Sequence, residues 1–118
     1  MESILTSVKK IIGISEEDES FDSDLIIHIN SIIMVLDQLG LESAAGFFIT
    51  DKTSTWNDLF PNGNSIEAIK SYVALRVRMI FDPPASSTMA DAINKSISEL
   101  EWRINAIVDY NYGGTGGE

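Results

Sequence analysis

Between residues 25 and 39 the apolar side chains return every three or four positions: Leu25, Ile26, Ile29, Ile32, Ile33, Leu36 and Leu39. That spacing lays them along one side of an α-helix and along neither face of a strand. Ile27, Met34 and Val35 fall outside the stripe, so this helix is apolar over much of its circumference and is expected at the centre of the fold or under a neighbour. Asp22 suits its N-cap, the carboxylate of Asp24 suits its first turn, and Gly40 ends it.

Three further helices carry the same signature. Near the start, Ser3 is placed to cap a helix whose stripe is Ile4, Leu5, Val8, Ile11 and Ile12. Lys9 and Lys10 lie near its carboxyl end, where the helix dipole favours cations, and Gly13 is its stop. A third main helix opens on the capping box Asn64-Ser65-Ile66-Glu67. Its stripe is Ile66, Ile69, Val73, Val77 and Ile80, broadened by Tyr72, Leu75 and Met79, and Asp82-Pro83-Pro84 terminates it because proline lacks an amide donor. The fourth opens on Thr88-Met89-Ala90-Asp91 and runs a short heptad seam of Ile93, Ile97, Leu100, Ile104 and Ile107. On another of its faces Asp91, Lys95, Glu99 and Arg103 alternate in sign every four residues.

Residues 41–64 have no period. They hold Gly46, a string of Thr and Ser, and the turn sequence Pro61-Asn62-Gly63-Asn64, with one short helical turn expected to begin at residues 54–58. Phe47, Phe48, Ile49, Trp56, Leu59 and Phe60 are too apolar for a free loop, so they bury against the helices or against another subunit. The fold class that follows is all-α: a bundle of four main helices with a long irregular insertion between the second and third. A chain of 118 residues fits one domain, taken as residues 1–112, with the glycine-rich residues 113–118 as a flexible tail.

Composition narrows the function. Hydrophobic residues make up 44% of the chain, enough for a real core and too many for a disordered polyelectrolyte. The absence of cysteine removes disulfides and thiolate metal sites and makes a reducing compartment the default. Eight Lys and Arg against 18 Asp and Glu leave a formal charge of −10, which repels phosphate backbones and anionic membranes at long range. No signal peptide is expected, because the lysines of residues 1–10 follow the apolar residues instead of preceding them. No apolar run approaches the roughly 20 residues that span a bilayer.

No catalytic, cofactor-binding or metal-binding residue is expected. Glu16, Glu17, Asp18, Glu19, Asp22 and Asp24 lack the spacing and central glycine of a calcium loop, and read as a solvated linker plus a helix start. All-helical, metal-dependent nucleotide hydrolases hold magnesium with carboxylates on facing helices. Here Glu99 and Glu101 point to different faces, and Asp24 and Asp37 lie near opposite ends of their helix. His28 is the only histidine and has no second histidine or cysteine for company; it reads as a packing or surface residue. Arg76 and Arg78 read as partners for an acidic neighbour in this subunit or across an interface. An acidic DNA-mimic inhibitor is an alternative, but the carboxylates cluster before the second helix instead of spreading along one face. The candidate interface residues are Phe47, Phe48, Trp56, Phe60, Trp102, Tyr110 and Tyr112, since aromatic residues are enriched at binding hot spots. Trp102 leans toward an interface because it lies off its helix's seam; Tyr72 leans toward the core.

Two stretches carry a resemblance. Ile69-Lys70-Ser71-Tyr72-Val73 leads through Arg76 and Arg78 to Phe81-Asp82-Pro83-Pro84, and Glu99-Leu100-Glu101-Trp102-Arg103 closes the pattern. With the Val8-Lys9-Lys10 helix, the acidic turn and the Asp24-Leu25 helix start, the chain resembles the head–tail connector (adaptor) proteins of tailed bacteriophages, often labelled head completion or DNA packaging proteins. The resemblance implies a structural, non-enzymatic subunit without cofactors. It implies a homo-oligomeric ring below the portal protein that extends the DNA channel and docks the next neck or tail-completion protein. DNA would pass nearby without specific binding, no membrane would be involved, and the subunit would be assembled in the host bacterial cytoplasm and end in the virion neck.

Overall fold

A computed structural model describes residues 2–61 and 66–108. Five helices follow in order: α1 (Ile4–Ile12), α2 (Asp22–Gln38), α3 (Trp56–Leu59), α4 (Ile66–Phe81) and α5 (Ser87–Val108), with a 3₁₀ turn at Glu42–Ala44. No strand forms among the described residues, and one isolated antiparallel bridge pairs Ser3 with Thr55. The all-α bundle with its irregular insertion between the second and third main helices is therefore what the periodicities imply.

Helix α4 is the hub. Helices α1, α2 and α5 all pack on it, and α5 meets the bundle chiefly through it. The smallest dimension is 20 Å, about two helix diameters, so the subunit is a slab. The core interleaves Ile4, Leu5 and Val8 of α1, Leu25, Ile29, Ile33 and Leu36 of α2, Ile69, Tyr72, Val73 and Val77 of α4, and Ile97 and Ile104 of α5. Each such aliphatic side chain contributes about 1.5–3 kcal/mol by leaving water. Two residues counted into the stripes stay half-exposed: Ile11 at the edge of the α1 stripe, and Ile80 in the last turn of α4 where the chain leaves at Asp82.

The helix ends show how local chemistry places these elements. Ser3 caps α1 by accepting the amide of Thr6 at 3.2 Å, and Gly13 closes the helix at φ +90°, a backbone angle glycine adopts without strain. Asp22 does not cap α2. Phe21 holds the N-cap position with no side-chain bond, and Asp22 sits in the first turn, where its carboxylate pairs with Lys9. Thr88 does not cap α5 either, because Ser86 accepts the amide of Met89 at 3.3 Å and the helix begins at Ser87. Ser86, Ser87 and Thr88 are all competent caps, and the chain uses the one nearest the Pro83-Pro84 exit. The expected Asn64-Ser65 cap of α4 lies outside the described residues, whereas Glu67 pairs with Lys70 at 3.6 Å.

Candidate functional site

Among the described residues no group of three or more histidine, cysteine or acidic side chains is arranged to hold a metal ion. His28 is half-buried on α2, Glu99 faces solvent, and Glu101 turns inward to Tyr72. No helix among the described residues is long and apolar enough to cross a membrane. The remaining candidate residues lie on the insertion after α2 and on α5.

The insertion after α2 is held down at two points. At the first, Asn30 on α2 works as a clamp: its side-chain amide donates to the Ile49 carbonyl at 3.0 Å, and its carbonyl accepts the Ile49 amide at 2.8 Å. One side chain thus satisfies both backbone groups of a residue outside regular structure. At the second, residues 54–56 lie against the start of α1. The Ile4 amide donates to the Ser54 carbonyl at 3.0 Å and the Trp56 amide to the Glu2 carbonyl at 3.3 Å. The short helix α3 carries its own capping box, Thr55 with Asp58. These tethers drive Ile49, Trp56, Leu59 and Phe60 into the core.

Two expected interface residues are therefore corrected. Trp56 is fully buried and its indole N–H donates to Ser7 Oγ at 2.9 Å, while Phe60 is buried beside it in the core cluster. Neither presents area to a partner. Phe47 is half-buried against the core, and Phe48 is 64% exposed. Tyr110 and Tyr112, like residues 113–118, lie outside the described residues.

Phe48 does not stand alone. The Asn30 clamp brings its segment onto α2, and Ile27 and Met34 flank Asn30 at the helical spacings of three and four. Ile27 is 62% exposed and Met34 65%. The α2 face expected under a neighbour is thus open in the single chain at Ile27 and Met34, and Phe48 is exposed on the segment that the clamp holds to the same helix. Aliphatic residues off the main stripe were the sequence signal, but nothing in the sequence tied Asn30 to Ile49.

On α5 the second surface centres on Trp102, 73% exposed, the highest exposure of the large apolar side chains among the described residues. Its neighbour Glu101 faces the other way. The Tyr72 hydroxyl donates to Glu101 Oε2 at 2.8 Å, and Arg76 donates to both at 2.9 and 3.3 Å. Burial, followed by the bond to Glu101, pushes the Tyr72 phenol up to about 12. This trio ties α4 to α5 on the side away from Trp102.

The acidic segment is pinned from below. Lys9, only 3% exposed, sits 2.9 Å from Asp22 Oδ1 and donates to the Glu16 carbonyl at 3.0 Å. The Asp22 contact is an ion pair without the alignment of a hydrogen bond. Glu16, Glu17, Asp18 and Glu19 remain exposed, and Asp18 is held below the usual carboxylate range by the hydroxyl and amide of Ser20. The segment is a solvated turn with one buried cation beneath it.

A family model described as "Phage connector protein" matches residues 4–111. No curated protein and no solved structure matches the chain significantly. The family match runs from the first residue of α1 to beyond the end of α5, so it covers the whole bundle and both exposed surfaces. The chain belongs to the phage connector protein family.

Proposed function

We propose that this subunit joins with copies of itself into a ring below the phage portal, extends the DNA channel there, and offers a surface to the next neck or tail-completion protein. The family match over residues 4–111 carries this reading. The geometry supports it in two ways. The subunit is a slab with apolar side chains open at Ile27, Met34 and Phe48, and an apolar patch that seats on a different surface of the next copy closes a ring when the rotation permits. The formal charge of −10 suits a channel that passes DNA without gripping it. The same reading places the protein in the virion neck after assembly in the host cytoplasm, with no enzymatic step and no cofactor. Residues 41–64 and the glycine-rich residues 113–118 are the proposed contact segments beside this patch.

Light scattering after size exclusion, on the chain alone and mixed with its cognate portal ring, tests the proposal. A stoichiometric complex with portal supports it. A chain that elutes apart from assembled portal at all ratios contradicts it. The variant Phe48→Asp then locates the contact: it is expected to abolish the ring while helicity stays unchanged.

A further inference from the structure

Helix α5 buries only Ile93, Ile97 and Ile104; the opposite side of its 22 residues is open along about 33 Å. Asp91 and Lys95 lie on that open side, and the same exposed four-residue ridge winds on to Glu99 and Arg103, which border a groove with Ser71 of α4. Neighbours on such a ridge are placed to pair within the helix, yet among the described residues none of the four makes an ion pair. Trp102 stands beside the ridge, and the exposed small residues Ala92 and Ala106 leave the helix surface low on either side.

The order of the charges decides what fits. The ridge reads minus, plus, minus, plus from one end and the reverse from the other. It is therefore its own complement when turned end for end, and its own repeller when laid parallel. We infer that α5 pairs with α5 of a second copy of this chain, antiparallel about a two-fold axis passing between Lys95 and Glu99. The pairing sets Lys95 against Glu99 of the second copy, Asp91 against Arg103 of the second copy, and each of these again by symmetry. Aligned four-residue ridges are the commonest helix packing, at a crossing angle of about −50°. Trp102, beside the ridge, is partly covered by the contact. One helix pair buries less than the roughly 1,000 Å² of a permanent interface, so the dimer is a weak state of the free subunit. It uses neither the α2 patch nor the portal, and its failure would leave the connector reading untouched.

The test is sedimentation velocity at physiological ionic strength, where the repulsion between two chains of charge −10 is screened beyond about 8 Å. The wild type is expected to pass from monomer to dimer between about 10 and 500 µM. Lys95→Glu sets carboxylate against carboxylate at both symmetric contacts, Glu99→Lys sets ammonium against ammonium, and each is expected to weaken the dimer about tenfold or more. An equimolar mixture of the two variants restores opposite charges at both contacts and is expected to recover the dimer as a heterodimer. Both substituted positions are exposed, and circular dichroism confirms that the variants stay folded. A wild type that is monomeric throughout, a dimer indifferent to both reversals, or a mixture that fails to pair overturns the inference.

Discussion

The two tryptophans make opposite predictions for the same substitution. Trp56 lies in the core with its indole N–H bonded to Ser7 Oγ, and Ser7 in turn donates to the Ser3 carbonyl at 2.6 Å. Trp56→Ala removes the largest side chain of the insertion and leaves a void beneath α1. Large aromatic-to-alanine changes in cores cost about 3–5 kcal/mol. A domain of this size has about 6–18 kcal/mol in total, so the loss is a large share of it. With a urea dependence of about 2 kcal/mol per molar, the midpoint falls by about 1.5–2.5 M. Trp102→Ala removes a side chain that is 73% exposed and has no hydrogen-bond partner among the described residues, and its cost stays within about 0.5 kcal/mol. Urea unfolding followed by circular dichroism at about 1 µM, where no dimer contributes, reads both values. Equal destabilisation by the two variants, or a larger loss at Trp102, would refute the placement of the insertion under α1.

Three more perturbations probe the rest of the fold. Gly40 sits at φ +105°, and an added Cβ would meet Val108 Cγ1 at 3.0 Å, so Gly40→Ala is expected to cost about 1–3 kcal/mol by thermal or urea unfolding; no loss would place the end of α5 elsewhere. Asn30→Ala strands the amide and carbonyl of Ile49 and is expected to cost about 1–3 kcal/mol, with faster amide exchange confined to residues 47–50; unchanged exchange there would remove the clamp. The Tyr72 phenol is raised from 10 to about 12, so the unfolded chain loses that proton first: the stability is complete below pH 10 and is lost as pH rises through about 12. Ultraviolet titration is expected to show a phenol ionising well above the ordinary tyrosine range, and Tyr72→Phe to abolish that late step; a titration with no late step would contradict the Tyr72–Glu101–Arg76 arrangement.

The helices were legible because burial on one side of a helix writes its own period into the chain. The short turn at Trp56 and the stops at Gly13 and Pro83 were legible for the same local reason. What the sequence did not reveal depends on which distant elements meet. Lys9 reads as a dipole partner at the end of α1, but α2 arrives there and makes it a buried partner of Asp22. Trp56 and Trp102 are equivalent by residue type; one is covered because the insertion folds back to Glu2 and Ile4, the other is open because α5 packs chiefly on α4 and Trp102 faces away from it. Cap choice failed at Thr88 because Ser86 and Ser87 beside it are equally competent, and at Asp22 because the ion pair with Lys9 of α1 sets its carboxylate in the first turn and leaves Phe21 at the cap. Of the candidate surface, the aromatic residues were visible but their sorting was not, and the link between the Ile27–Met34 face and the insertion rests on the Asn30 clamp, which no local pattern announces.

Electron microscopy of portal rings incubated with this chain tests the central claim most directly. The account predicts an added ring of helical density on the tail-facing side of the portal, with acidic side chains toward the channel. Bare portal rings at saturating concentration, or a lumen lined by the chain's few lysines and arginines, would contradict it.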